Sequence, residues 1–210
     1  MTEQQNQQRD TEALILQAAE KEFLEKGYSG AKTTSIAEAA GVTHAMFHYY
    51  FRTKDKLFEK IVTEKIGQMK ELMFSAIGNP ELPLKERIEL GVTRHFDFIA
   101  ANPMLPRFLF NELYSSPERI EAIKSSLMVS AGQLLDNLQS AIDADAASGH
   151  CRKVDARQLL LDIISLNIFP FVAEPLIVTL LSNEGDNRDE LLEKRKKENI
   201  CTILGKLNLI

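Results

Sequence analysis

Gly41-Val42-Thr43-His44-Ala45-Met46-Phe47-His48-Tyr49-Tyr50-Phe51-Arg52-Thr53-Lys54 begins with a glycine, continues as a short helical pattern and ends on two cations. Glycine tolerates the positive φ that closes a preceding helix, and threonine is a good N-cap for the next one, so Gly41 and Thr43 predict a sharp reversal. From Thr43 onward, Phe47 and Phe51 lie one turn apart on one face, while His44, His48, Tyr49 and Tyr50 spread over the rest. Two turns pinned by two aromatics, with imidazoles and phenols on the open side, suit a groove better than a core. This is how a helix-turn-helix presents its second helix.

Working outward, Ser35-Ile36-Ala37-Glu38-Ala39-Ala40 has a small apolar face, Ile36, Ala37 and Ala40, that fits a supporting helix. Thr33 and Thr34 precede it and supply a hydroxyl for its first turn, where free N–H groups can meet a phosphate. Upstream, Ile15, Leu16, Ala18, Ala19 and Phe23 recur at helical spacing and stop at Gly27, a C-terminal cap. Three helices close a miniature core.

The ordered run Ile15-Leu16, Ala18-Ala19, Phe23, Lys26-Gly27-Tyr28, then Ile36-Ala37, Ala40-Gly41-Val42-Thr43, then Tyr50-Phe51-Arg52-Thr53-Lys54 and Leu57 resembles the N-terminal DNA-binding domain of the TetR family of transcriptional regulators. The resemblance covers the first quarter to third of the chain. It implies DNA contacts at Thr33 and Thr34, at Thr43, His44 and Ala45, at His48, Tyr49 and Tyr50, and at Lys54. His48 stands where the family usually has tyrosine, and His44 where lysine or glutamine is common; each replacement is expected to keep a hydrogen-bond donor while leaving the preferred bases open. The resemblance also implies an all-helical ligand-binding and dimerisation domain downstream, and division at residues 9–57 and 58–210.

The chain has 210 residues, 44% hydrophobic and 26% charged, enough for a sizeable core. A net charge of −5 argues against a protein that coats nucleic acid by charge alone. The charge is uneven: Lys26, Lys32, Arg52, Lys54 and Lys56 against Glu38 and Asp55 make residues 26–56 net +3, leaving −8 for the remainder. A basic tip on an acidic body touches DNA at one end.

Cys151 and Cys201 are far apart and fit a reducing cytoplasm, and the polar N-terminus carries no signal peptide, so a cytoplasmic location is expected. Leu159 to Leu181 is the most apolar stretch, yet Asp162 alone would cost roughly 2.5–3.5 kcal/mol near a bilayer centre, so burial in protein is expected.

Beyond the motif, Thr53 can cap a long helix running to the turn Gly78-Asn79-Pro80, with no flexible linker between the two domains. Leu84 to Ala101, Arg107 to Tyr114 and a run opened by Ser116-Pro117 follow, then a loop from Ala144 to Val154. Asp155 opens a helix so apolar that it must be covered on all sides, and Asp189 to Leu207 supplies a matching stripe. The fold expected is all-α, about nine helices: a three-helix helix-turn-helix domain joined by a long helix to a C-terminal bundle. A homodimer through the last two helices, with Leu160, Ile164, Asn167, Ile200 and Leu204 at the seam, would cover the excess apolar surface and require a palindromic operator.

The sequence holds no nucleophile motif, phosphate loop or metal-spaced carboxylate cluster, so no catalytic residue, cofactor or metal is assigned. His44 and His48 have metal-compatible spacing without a third ligand, and DNA-facing groups are the simpler reading. A pocket between the C-terminal helices is expected, with His95, Phe98, Asn111, Tyr114, Met128, Asn167 and Phe171 as its candidate lining and a hydrophobic or aromatic effector as its occupant. Each of these is also an ordinary core residue, and Asn167 also suits a register-setting place at the dimer seam. The function read from these features is a sequence-specific DNA-binding regulator, a repressor released by an effector. Its rival is a ligand-independent regulator or chromosome-associated factor of the same shape.

Overall fold

A computed structural model of the chain describes residues 3–115, 117–181 and 187–209. Among these it contains ten helices and no strand: α1 (Glu3–Gly30), α2 (Thr33–Ala39), α3 (His44–Phe51), α4 (Lys54–Ala76), α5 (Leu84–Ala101), α6 (Leu105–Ser115), α7 (Pro117–Ala147), α8 (Ala156–Val172), α9 (Glu174–Leu181) and α10 (Arg188–Leu207). The expected long apolar run divides after Val172, which raises the count from nine to ten. Pro175 has no N–H to continue the ladder and biases Glu174 away from helical angles, so the chain breaks at Ala173 and restarts.

The chain forms two compact units, Met1–Ile66 with Arg107–Ser126, and Gly67–Pro106 with Leu127–Ile210. In the first, Ile15, Ala19 and Phe23 of α1, Ile36 and Ala37 of α2, Phe47 and Phe51 of α3, and Leu57 and Phe58 of α4 are buried together as the core of the head. Phe58 meets Phe23 edge-on at 5.6 Å and Phe108 of α6 at 5.6 Å. Gly27 ends the regular part of α1 with φ 67°, as its residue type requires, and the last turn continues beyond a kink.

That kink is held from three sides. The N–H of Tyr28 donates to the buried carboxylate of Glu112 on α6 at 3.0 Å, the N–H of Lys32 donates to Glu22 at 3.3 Å, and the Lys54 ammonium donates to the carbonyls of Tyr28 and Ala31 at 2.9 and 3.0 Å. The paired Lys26 ammonium, foremost, holds the Glu22 carboxyl below its ordinary pKa. Lys60 with Glu12 and Lys65 with Glu20 join α4 to α1.

In the second unit the core is Ile77, Ile88, Val92, Leu138, Ile142, Leu159, Ile163, Ile203 and Leu207. Gly91 lets α5 approach closely, since a Cβ there would sit 2.3 Å from Ile77 Cγ1. Arg87 is buried and donates through Nε to the carbonyl of Ile77 at 2.7 Å, closing the end of α4. Asp155 caps α8 by accepting from the N–H of Arg157 at 2.7 Å, and Asn187 does the same for α10 with Asp189 at 3.0 Å.

Two local expectations are corrected. Lys32, not a threonine, precedes α2, and it makes no side-chain cap; Thr33 is the first helical residue. α7 runs through Ala147, so the loop expected from Ala144 begins four residues later, at Ser148, and Gly149 there has φ 74°. The cap expected at Ser116 lies outside the described residues, as does the turn expected over Ser182–Asn187 except for Asn187, which caps α10. Among the described residues no helix is long and apolar enough to cross a membrane.

Candidate nucleic-acid interface

The turn before α3 folds as its residue types dictate. Gly41 has φ 68°, its N–H donates to the carbonyl of Glu38 at 3.0 Å, and the Thr43 hydroxyl accepts from the N–H of Met46 at 3.2 Å. α3 then buries Phe47 and Phe51 and leaves the rest of its surface open. Tyr49 is 73% exposed; His44, Ala45 and His48 are exposed too, and Tyr50 is half-buried, edge-on to Tyr49 at 5.4 Å. Thr34 is exposed and Thr33 half-buried at the start of α2.

Side-chain bonds organise this face. The Thr33 hydroxyl and His44 Nε2 lie 3.2 Å apart and link the starts of α2 and α3. His44 and His48 meet edge-on with ring centroids 4.4 Å apart. His48 Nδ1 donates to the carbonyl of Arg52 at 3.0 Å, satisfying an acceptor at the end of α3, where Arg52 takes φ 49°. No group of three or more His, Cys, Asp or Glu side chains among the described residues is placed to hold a metal.

Lys54 stands apart from the other expected DNA contacts. Its ammonium caps the end of α1 and lies 4.4 Å above the Tyr28 ring, so two of its three donors are already engaged within the head. Its place follows from the fold around Gly27, 27 residues upstream, and no local pattern announces it. Met46, 41% exposed on the same open side of α3, was not singled out from sequence, although its helical spacing from Tyr49 and Tyr50 is the signal that finds it.

The expected pocket residues do not form one group. His95 and Asn167 do meet: Asn167 Nδ2 donates to the carbonyl of Val92 at 2.9 Å and faces His95 Nδ1 at 3.1 Å, and Asn199 Nδ2 donates to Asn167 Oδ1 at 2.9 Å. Burial lowers the His95 pKa to about 4, so its imidazole is neutral. Phe171 packs against Phe96 at 5.3 Å, Phe98 is half-buried beside that cluster, and Asn111 is exposed in the first unit. The side chains of Tyr114 and Met128 lie outside the described residues.

The expected seam divides as well. Asn167 and Leu204 are buried inside the chain itself, while Leu160, Ile164 and Ile200 keep part of their surface. Among the described residues, the apolar groups most open to solvent on α8 and α9 are Leu161, Phe169, Val172, Leu176 and Leu180, between 39% and 68% exposed. Phe169 also borders a trough of about 380 Å³ lined by apolar Pro170, Ile177, Leu191 and Leu192 and by charges of both signs, Arg188, Lys194 and Arg195 with Glu174 and Glu198.

A short capped helix held by two buried aromatics against a supporting helix, its polar side open, defines a helix-turn-helix DNA-binding regulator. Residues 15–61 match the family model described as bacterial regulatory proteins, tetR family. Residues 15–61 thus carry the DNA-binding domain of TetR-family transcriptional regulators. It is similar to the fatty acid metabolism regulator protein of Bacillus subtilis, 29% identical over 131 residues, which is 60% of this chain and 67% of that one. It is also similar to the HTH-type transcriptional repressor NicS of Pseudomonas putida, 27% identical over 64% of this chain and 63% of that one. Each match thus spans about two thirds of the relative's length. In fold it resembles the FadR regulator from Bacillus subtilis in complex with stearoyl-CoA, with a TM-score of 0.68 and 21% identity over 92% of this chain and 98% of that one.

Proposed function

We propose that this regulator is a homodimeric repressor that binds a palindromic operator through α3 and leaves it when a hydrophobic small molecule binds within residues 58–210. The observation that carries this reading is the open side of α3. Thr43, His44, Ala45, His48, Tyr49 and Tyr50 stand on a helix whose other side is anchored by Phe47 and Phe51. Thr33 and Thr34, at the N-terminus of α2, are suited to a phosphate. DNA binding is assigned to residues 9–57, and ligand binding and dimerisation to residues 58–210.

The second copy is seated on Leu161, Phe169, Val172 and Leu176, with Leu160, Ile164 and Ile200 beside them, because these groups hold the apolar surface that the chain's own core leaves uncovered. Asn167 acts inside the subunit, tying α8 to α5 and α10. A two-fold axis places the paired α3 helices in major grooves roughly 34–36 Å apart, or a multiple of that.

For the effector, a long-chain acyl thioester is the first compound to test, given the likeness to a fatty acid metabolism regulator and to FadR bound to stearoyl-CoA. α4 supplies the route for the response, since it begins beside α3 and is continuous into the second unit. Whatever factor the effector takes from operator affinity, the operator must take from effector affinity. Selection from a random duplex pool should enrich one palindromic sequence at two chains per duplex, released by stearoyl-CoA. Enrichment without release by any lipid would favour the ligand-independent rival, and no enrichment would overturn the proposal.

A further inference from the structure

The sequence leads one to expect a donor at His48. For the neutral imidazole the structure reverses that expectation at the free ring nitrogen. His48 Nδ1 lies 3.0 Å from the backbone carbonyl of Arg52, and a carbonyl has no proton to give, so Nδ1 carries the hydrogen. In the neutral imidazole the other nitrogen, Nε2, then holds only a lone pair. The bond is part of the end of α3: Arg52, at φ 49°, returns its N–H to the carbonyl of His48 at 3.1 Å while its own carbonyl receives Nδ1–H. The ring is thus fixed in tautomer, exposed, and next to His44 at 4.4 Å.

We propose that His48 is a specificity-determining residue that accepts a hydrogen bond from an exocyclic amine in the major groove, adenine N6 or cytosine N4. This rests on α3 being the DNA-reading helix. The major groove offers donors only at those amines; guanine O6 and N7 and thymine O4 are acceptors and would face the Nε2 lone pair. Phosphate oxygens are acceptors too, so a neutral His48 is excluded from the phosphate contacts that position the protein. A tyrosine hydroxyl, which donates as well as accepts, would not discriminate in this way.

The test is selection from a random duplex pool by the wild-type protein, His48→Asn and His48→Gln, each first checked for an unchanged melting profile. Asparagine keeps a donor near the Nδ1 position for the Arg52 carbonyl and lacks Nε2. Glutamine places an amide, donor and acceptor, near Nε2. The wild type should require adenine or cytosine at one position of each half-site. His48→Asn should lose that preference, binding the preferred duplex roughly tenfold more weakly and other duplexes as before. His48→Gln should admit guanine or thymine there. Retention of the preference by His48→Asn, loss of a guanine or thymine preference instead, or equal weakening on every duplex, as a phosphate contact gives, would each overturn the assignment while leaving α3 as the DNA-reading helix. A wild-type protein that enriches nothing would remove that parent reading and this one with it.

Discussion

α3 and α8 treat apolar residues in opposite ways. α3 has two buried aromatics and uses the rest of its eight positions for two imidazoles, two phenols, an alanine and a methionine, all exposed except the half-buried Tyr50. α8 buries Ala156, Leu159, Ile163, Asn167, Pro170 and Phe171 in its own unit and still exposes Leu161, Phe169 and Val172. Polar surplus on a rigid helix serves a hydrated, charged partner, whereas apolar surplus needs another apolar surface. On the proposed reading, one face meets a duplex and the other a second copy of the chain.

The largest effect should come from breaking the apolar side. Leu161→Glu with Phe169→Glu places charges on surface that the proposed dimer buries, so light scattering should show monomers, and operator affinity should fall by more than a hundredfold because one α3 per particle reads only half a palindrome. A dimer that persists would move the seam elsewhere.

The buried side of α8 has its own signature. His95 faces Asn167, and burial lowers its pKa to about 4 from 6.5. The unfolded chain therefore takes up its proton first as the solution is acidified. Stability is full above about pH 6.5 and declines toward pH 4, by about 3 kcal/mol for this one group. Denaturant melts across that range should show the slope, and His95→Gln should flatten it.

Lys54 sharpens the polar side. Lys54→Met keeps the stem but removes two charge-assisted bonds to the end of α1, so the protein should lose about 2 kcal/mol in urea melts. A variant as stable as wild type that fails only on DNA would return Lys54 to the duplex.

The smallest effect lies in α4. Gly67 is inside this helix, where the two compact units meet in sequence, and nothing stands within 4 Å of a Cβ built there. Gly67→Ala should add about 1 kcal/mol of stability. If α4 transmits the effector response by bending there, the same substitution should blunt release without altering operator affinity in the absence of effector.

The sequence made the local features legible and left the long-range ones hidden. Gly27 and Gly41 take the positive φ that glycine favours, and Thr43, Thr53 and Asp155 are residue types favoured at N-caps; the structure places each at such a turn or cap. Glu112 could not be found that way: its carboxylate meets the N–H of Tyr28 across 84 positions, and nothing near either residue signals the other. Asn167 was visible as a polar group in an apolar run, but whether it would face a ligand, a partner or its own subunit depended on where α5 and α10 bring His95 and Asn199. The split at Ala173 was legible in principle, since Pro175 stands where a continuous helix needs an N–H.

The most direct measurement of α3 as the DNA-reading helix is oxidative footprinting by mass spectrometry, with and without the selected duplex. His44, His48 and Tyr49 should lose most of their labelling when DNA binds, while Met104, 42% exposed in the second unit, should label as before. Bound DNA that leaves those three side chains as reactive as in the free protein would contradict it.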